Sequence, residues 1–215
     1  MVSDRDQRHV RYDYWRYAGR DWRSYQLILD RLHPVPPILE VGSGLGFFLE
    51  CCRHNGIPAV GLELSEEGVA SCRVKGLTVV RGDLTTPFPF RDESFGSALA
   101  HHVFEHVPRE KMRHALHEIR RVLKRGGHLF VVSPNICNPA SRDDEDHVNL
   151  FTPHELGREA RRAGYRRVSL GTNYYRPLNG RRFLFGGISV LLSGALWKVA
   201  PLDRFAGSAS CMARR

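Results

Sequence analysis

The densest set of reactive side chains in this 215-residue sequence is His101-His102-Val103-Phe104-Glu105-His106-Val107. An imidazole titrates near neutrality, so His106 could take a proton from an acceptor group at physiological pH. The competing reading is structural: Glu105 and His106 brace the fold through hydrogen bonds. A second set is acidic and spread along the chain. Glu40, Glu63 and Asp83 each lie in or just after a short apolar run, where a carboxylate can accept hydrogen bonds from a ligand's hydroxyl or amino groups. Glu63 falls about twenty residues past the first glycine of a Gly-rich turn, the spacing at which a strand-tip acid accepts from both ribose hydroxyls.

These groups need a frame, and Ile38 to Leu49 (ILEVGSGLGFFL) supplies its centre. Pro36 and Pro37 bar earlier strand pairing, Ile38, Leu39 and Val41 give a buried strand, and Gly42, Gly44 and Gly46 leave the backbone bare toward a ligand. From Phe47 the spacing turns helical, so a helix N-terminus with unsatisfied N–H groups points back at the turn. A dinucleotide fingerprint needs glycine at position 47, which is Phe; the third glycine comes one residue early.

The order acid-x-Gly-x-Gly-x-Gly from Glu40 resembles the first motif of class I S-adenosylmethionine-dependent methyltransferases. Glu63-Leu64, Asp83-Leu84, the Glu105-His106-Val107 loop and the Gly126-Gly127 strand follow in family order across residues 38–133. The resemblance implies an α/β, Rossmann-like seven-stranded sheet of order 3-2-1-4-5-7-6, last strand antiparallel, with helices on both faces. It implies S-adenosylmethionine as cofactor, held by Glu40, Gly42, Gly44, Gly46, Glu63, Leu64, Asp83, Leu84 and His101. Asp83 would meet the adenine amino group while Leu84 packs on the ring. Where the family commonly has Phe-Asp at the start of the fourth strand, this chain has Phe95-Gly96.

Similar small-molecule enzymes carry a histidine before a Phe-Thr-Pro-like helix start, facing the acceptor. That makes His147 a second candidate base beside His106; the alternative is a loop histidine bonded to the acidic run 143–146. The resemblance to ubiquinone-pathway O-methyltransferases also raises a metal site from His102, Glu105 and His106, although His102 stands where those enzymes have Glu. No metal is assigned on this basis.

Along the chain, Trp22, Tyr25, Gln26, Leu29 and Leu32 predict a helix closed by Pro34, behind an aromatic cluster of Tyr12, Tyr14, Trp15 and Tyr17. Further strands are expected at 59–64, 77–80, 95–100, 128–132, 165–170 and 206–213. Helices are expected from Ser65, over 109–124 capped by Gly126-Gly127, and from Thr152-Pro153 with Glu155 completing a capping box. With 42% hydrophobic content the chain can bury one α/β core. The expected organisation is one domain, 1–215, with a helical arm (1–33) that could fold over the cofactor, a cofactor-binding core (34–133) and a substrate-side half (134–215).

The net charge of +9 is unevenly placed: from Arg158 onward twelve Lys or Arg face two acids, Glu159 and Asp203. Beside this excess, residues 183–197 carry no charge and are flanked by Arg181, Arg182 and Lys198. The run is shorter than the roughly 20 residues that span a bilayer. It fits either a helix buried against the sheet or an element resting on an anionic membrane surface. Five cysteines without a C-x-x-C pair and an N-terminus without an apolar leader point to a reducing, cytoplasmic setting. Methyl transfer to an oxygen or nitrogen of a small, lipid-linked or quinone-like acceptor is the expectation. The basic tail also admits RNA methylation, against which there is no Asn-Pro-Pro-Tyr-type run, and a third reading is a cofactor-binding regulator without turnover.

Overall fold

A computed structural model describes residues 21–172 and 203–215. Strand β1 (Ile38–Val41) is buried along its whole length and lies between two parallel neighbours, β2 (Ala59–Glu63) and β4 (Phe95–His101). Burial on both faces explains its unbroken apolar run. β3 (Val79–Arg81) flanks β2, and β5 (Leu123–Pro134) flanks β4, all parallel. β7 (Ser208–Arg214) then slots antiparallel between β5 and β6 (Arg166–Gly171), giving the expected order 3-2-1-4-5-7-6.

Helices α1 (Gln26–Leu32) and α2 (Phe47–His54) cover one face, where Ile28, Leu32, Phe48 and Cys52 close over Ile38, Leu99 and Phe130. Helices α4 (Arg109–Val122) and α6 (Pro153–Arg162) cover the other, with Met112, Leu116, Ile119 and Leu156 against Leu39, Val41, Ala100 and Val131. Helix α3 (Glu66–Val74) follows β2; the Ser65 side chain accepts from the Gly68 N–H at 2.9 Å as its cap. The Thr152/Glu155 capping box of α6 is formed in both directions.

Some expected boundaries move. The described part of the arm is a 3-10 turn (Trp22–Tyr25) followed by the short α1, and a four-residue helix, α5 (Pro139–Arg142), stands in a loop where no periodicity was visible. Gly126-Gly127 does not cap α4: the helix stops at Val122 and β5 has already begun, with Leu123 opposite Phe95. A Cβ at Gly127 would lie 2.8 Å from the Gly96 carbonyl oxygen, so Gly127 serves close strand approach, while Gly126 takes the left-handed φ of 75° in open space. Gly96 has its own reason, since a Cβ there would collide with the Val35 carbonyl. β3 starts at Val79 rather than Leu77, whose side chain is buried with Leu49 and Cys72. β4 runs on to His101, β6 lies at 166–171 and β7 at 208–214. Residues 1–20 and the apolar run 183–197 lie outside the described residues.

Candidate active site

The parallel register brings Val41, Leu62 and Ala100 level, so the turn after β1, the tip of β2 and the loop after β4 share one edge of the sheet. Gly42, Gly44 and Gly46 all have positive φ (72°, 51° and 83°), conformations that only glycine adopts without strain. At Gly42 a Cβ would lie 2.6 Å from Val103 Cγ2, so the bare turn also lets the loop after β4 close against it.

Glu63, 4% exposed, braces this turn: Oε2 accepts from the Gly44 N–H at 2.7 Å and Oε1 from the Ser65 N–H at 2.8 Å. A carboxylate has about four acceptor sites, leaving capacity for ligand hydroxyls. Leu64 beside it is exposed. Asp83 Oδ1 accepts from the Thr85 N–H at 2.7 Å, and Leu84 packs partly buried on the core. His101 stands edge-on to Tyr25, ring centroids 5.5 Å apart, and Tyr25 stacks toward Phe47 at 6.3 Å. The arm therefore reaches the cofactor edge. Beneath this edge the buried Glu40 Oε2 has no hydrogen-bond partner, and the buried Ser43 Oγ meets only the Cys72 thiol. Bare turn, strand-tip acid and unsatisfied buried carboxyl together fit the nucleoside and amino-acid ends of the implied cofactor.

The acceptor side is built from two segments tied together. His102, at φ 54°, pairs through Nδ1 with Glu105 Oε1 at 2.9 Å, and Ser133 Oγ donates to Glu105 Oε2 at 3.2 Å. Burial pushes the Glu105 carboxyl up, but the His102 hydrogen bond and the charges at His102 and His106 outweigh it, leaving it below the ordinary value. The Glu105 carbonyl accepts from the Val148 and Asn149 N–H groups at 2.9 and 3.1 Å. Asn149 Nδ2 donates to the Phe104 carbonyl, and Arg109 donates to Asn149 Oδ1 and the Leu150 carbonyl, each at 3.2 Å.

This lacing brings the two candidate histidines together, His106 and His147 ring centroids standing 5.4 Å apart. His106 Nδ1 faces the Asp146 carbonyl at 3.2 Å and His147 Nδ1 the Ser141 carbonyl at 2.8 Å. The His106 contact favours the tautomer with the proton on Nδ1 and a lone pair on Nε2, whereas His147 Nε2 lies 3.8 Å from Asp144 Oδ2 in the acidic run. The three-residue metal set also changes. His102 is committed to Glu105, and the donor atoms that converge, all within 4.8 Å, belong to Glu105, His106 and His147, a nitrogen-rich set.

Sequence reading missed Asn149, Arg109 and Ser133. A signal existed for Arg109: a cation in a helix's first turn opposes the macrodipole and needs another reason to be there.

Residues 39–131 match the family described as "Methyltransferase domain". The ubiquinone biosynthesis O-methyltransferase of Methylococcus capsulatus is 26% identical over 183 residues, 75% of this chain and 76% of that protein. Among solved structures, a SAM dependent methyltransferase from Archaeoglobus fulgidus superposes with TM-score 0.71 at 18% identity, over 90% of this chain and 92% of the other. Phosphoethanolamine N-methyltransferase 2 of Haemonchus contortus, in complex with S-adenosyl-L-methionine, gives TM-score 0.67 at 16% identity over 94% of this chain and 55% of its own.

Proposed function

Starting from a chain that belongs to the class I S-adenosylmethionine-dependent methyltransferases, we propose that its acceptor is a small, apolar molecule, lipid-linked or quinone-like, methylated on oxygen or nitrogen. The observation that carries this reading is the convergence of His106 and His147 from separate segments beside the cofactor edge. The bound donor supplies a methyl already activated on a sulfonium. What the chain must add is alignment, together with a place for the proton that a hydroxyl or amine gives up. The His106 imidazole provides that place, with His147, its Nε2 beside the Asp144 carboxylate, as the second candidate.

Val148 (63% exposed), next to His147, donates its N–H to the Glu105 carbonyl, and Ile136 (38% exposed) donates its N–H to the Phe151 carbonyl. Such fixed, solvent-facing apolar groups favour an apolar acceptor over a sugar or nucleotide. The 26% identical ubiquinone-pathway relative points the same way. Glu40, Gly42, Gly44, Gly46, Glu63, Leu64, Asp83, Leu84 and His101 are the proposed cofactor contacts, and the protein is proposed to work in the cytoplasm, touching an anionic membrane surface.

An acceptor panel offered with radiolabelled methyl donor tests this. Label should enter phenolic or amine-bearing apolar compounds. Label entering RNA instead, with binding that falls steeply with salt, would replace the proposal. Donor binding without product from any acceptor would favour a regulator.

A further inference from the structure

Among the described residues, Glu105, His106 and His147 bring one carboxylate oxygen and two imidazole nitrogens within 4.8 Å of one another. His147 belongs to a separate segment, and it arrives there because the Glu105 carbonyl accepts from the Val148 and Asn149 N–H groups at 2.9 and 3.1 Å. Each member is oriented from behind. His106 Nδ1 faces the Asp146 carbonyl at 3.2 Å and His147 Nδ1 the Ser141 carbonyl at 2.8 Å, the support that metal-bound imidazoles take on their other ring nitrogen. Glu105, 1% exposed, is held by His102 on Oε1 at 2.9 Å and by Ser133 on Oε2 at 3.2 Å. A carboxylate has about four acceptor sites, so these two bonds leave room for a cation. His102 thus stands behind a ligand rather than among the ligands. Asp144 Oδ2, 3.8 Å from His147 Nε2, adds a further negative charge beside the set.

The donor types select the ion. Two nitrogens and one oxygen suit Zn²⁺ and its late first-row neighbours, whereas Mg²⁺ and Ca²⁺ take oxygen shells. Zinc bonds of about 2.0–2.2 Å place tetrahedral ligands about 3.4 Å apart, so the donors must draw in by at most about 1.4 Å. Both rings are only half-buried, and small side-chain rotations supply that movement. We propose that Glu105, His106 and His147 bind a zinc-like divalent ion, and that the bound ion switches methyl transfer off. The cause is competition for one electron pair. The reading above sends the acceptor's proton to His106, with His147 as second candidate, and a ring nitrogen bonded to a metal has no pair left for a proton. The effect on turnover rests on that reading; the site itself rests on the geometry alone.

Calorimetry with Zn²⁺ on the full chain, together with the visible spectrum of the Co²⁺ form, reads the site without turnover. One ion per chain should bind and resist displacement by excess Mg²⁺. His147→Gln and Glu105→Gln should each abolish this binding, and His102→Ala, which removes the support behind Glu105, should weaken it about 10–100-fold. With an acceptor from the panel above, turnover should fall in step with bound Zn²⁺ and return with a chelator, while affinity for S-adenosylmethionine is unchanged. Absence of stoichiometric binding, or equal binding by wild type and His147→Gln, overturns the site and leaves the base reading standing. Zinc held through these residues with turnover unchanged or raised overturns the silencing and removes both histidines as bases. If Glu105→Gln does not fold, His147→Gln, placed in a surface loop, still decides.

Discussion

Two buried carboxyls in this protein shift in opposite directions, and that gives them opposite pH signatures. Glu40 is raised by burial and then by Glu63, so its contribution to stability is complete below the unfolded value and is lost as pH rises toward the folded one. Glu40→Gln should therefore leave thermal stability unchanged near pH 4 and raise the melting temperature near pH 8. Glu105 is lowered, its His102 bond and the neighbouring positive charges outweighing burial, so it stabilises above the unfolded value and stops doing so as pH falls through the folded one. Glu105→Gln should destabilise at neutral pH and lose its effect in strong acid; melting curves across pH check both. For the histidines, the turnover of His106→Ala and His147→Ala is the measurement. Loss of a base should cost about 10²–10⁴-fold in kcat with donor affinity kept, and unchanged rates in both would dismiss proton abstraction by either.

At the scale of elements, the glycine turn and the laced acceptor loop make different demands. Gly42→Ala places a methyl 2.6 Å from Val103 Cγ2 at φ 72°, and Gly46→Ala places one 2.7 Å from Leu77 Cδ1 at φ 83°. Each should cost about 1–3 kcal/mol and weaken donor binding, read by melting and calorimetry. Asn149→Ala removes the bonds to the Phe104 carbonyl and from Arg109, so the amides of Val148 and Asn149 should exchange hydrogen faster while those of β1 do not. The turn was legible because its signal is local: three glycines, an apolar strand and a helix start lie next to one another in sequence. The capping box of α6 was legible for the same reason. The meeting of His147 with His106 was not, since it depends on backbone bonds between Glu105 and residues 148–149 that leave no periodic trace. The end of α4 was misplaced because two glycines that look like a cap serve β5 instead, Gly127 where the strand passes Gly96 and Gly126 where the backbone turns to positive φ.

For the molecule as a whole, the sheet order could be named from the ordered motifs, and the closing antiparallel pair, expected at 165–170 and 206–213, forms at 166–171 and 208–214. No helix among the described residues is long and apolar enough to cross a membrane. The basic tail and the charge-free run 183–197 still motivate a surface contact. The protein should sediment with anionic vesicles at low salt and be released as salt rises above about 0.2 M, while neutral vesicles leave it in the supernatant. The position of β7 has a further consequence during synthesis. It follows β5 and β6 in sequence, yet it seats between them, so a nascent chain that already holds β1 to β6 carries two open rows of amide and carbonyl groups, one on β5 and one on β6. Until residues 208–214 emerge, that gap is a template for pairing with a neighbouring chain, and a stalled or nicked product lacking β7 is the form most prone to aggregate.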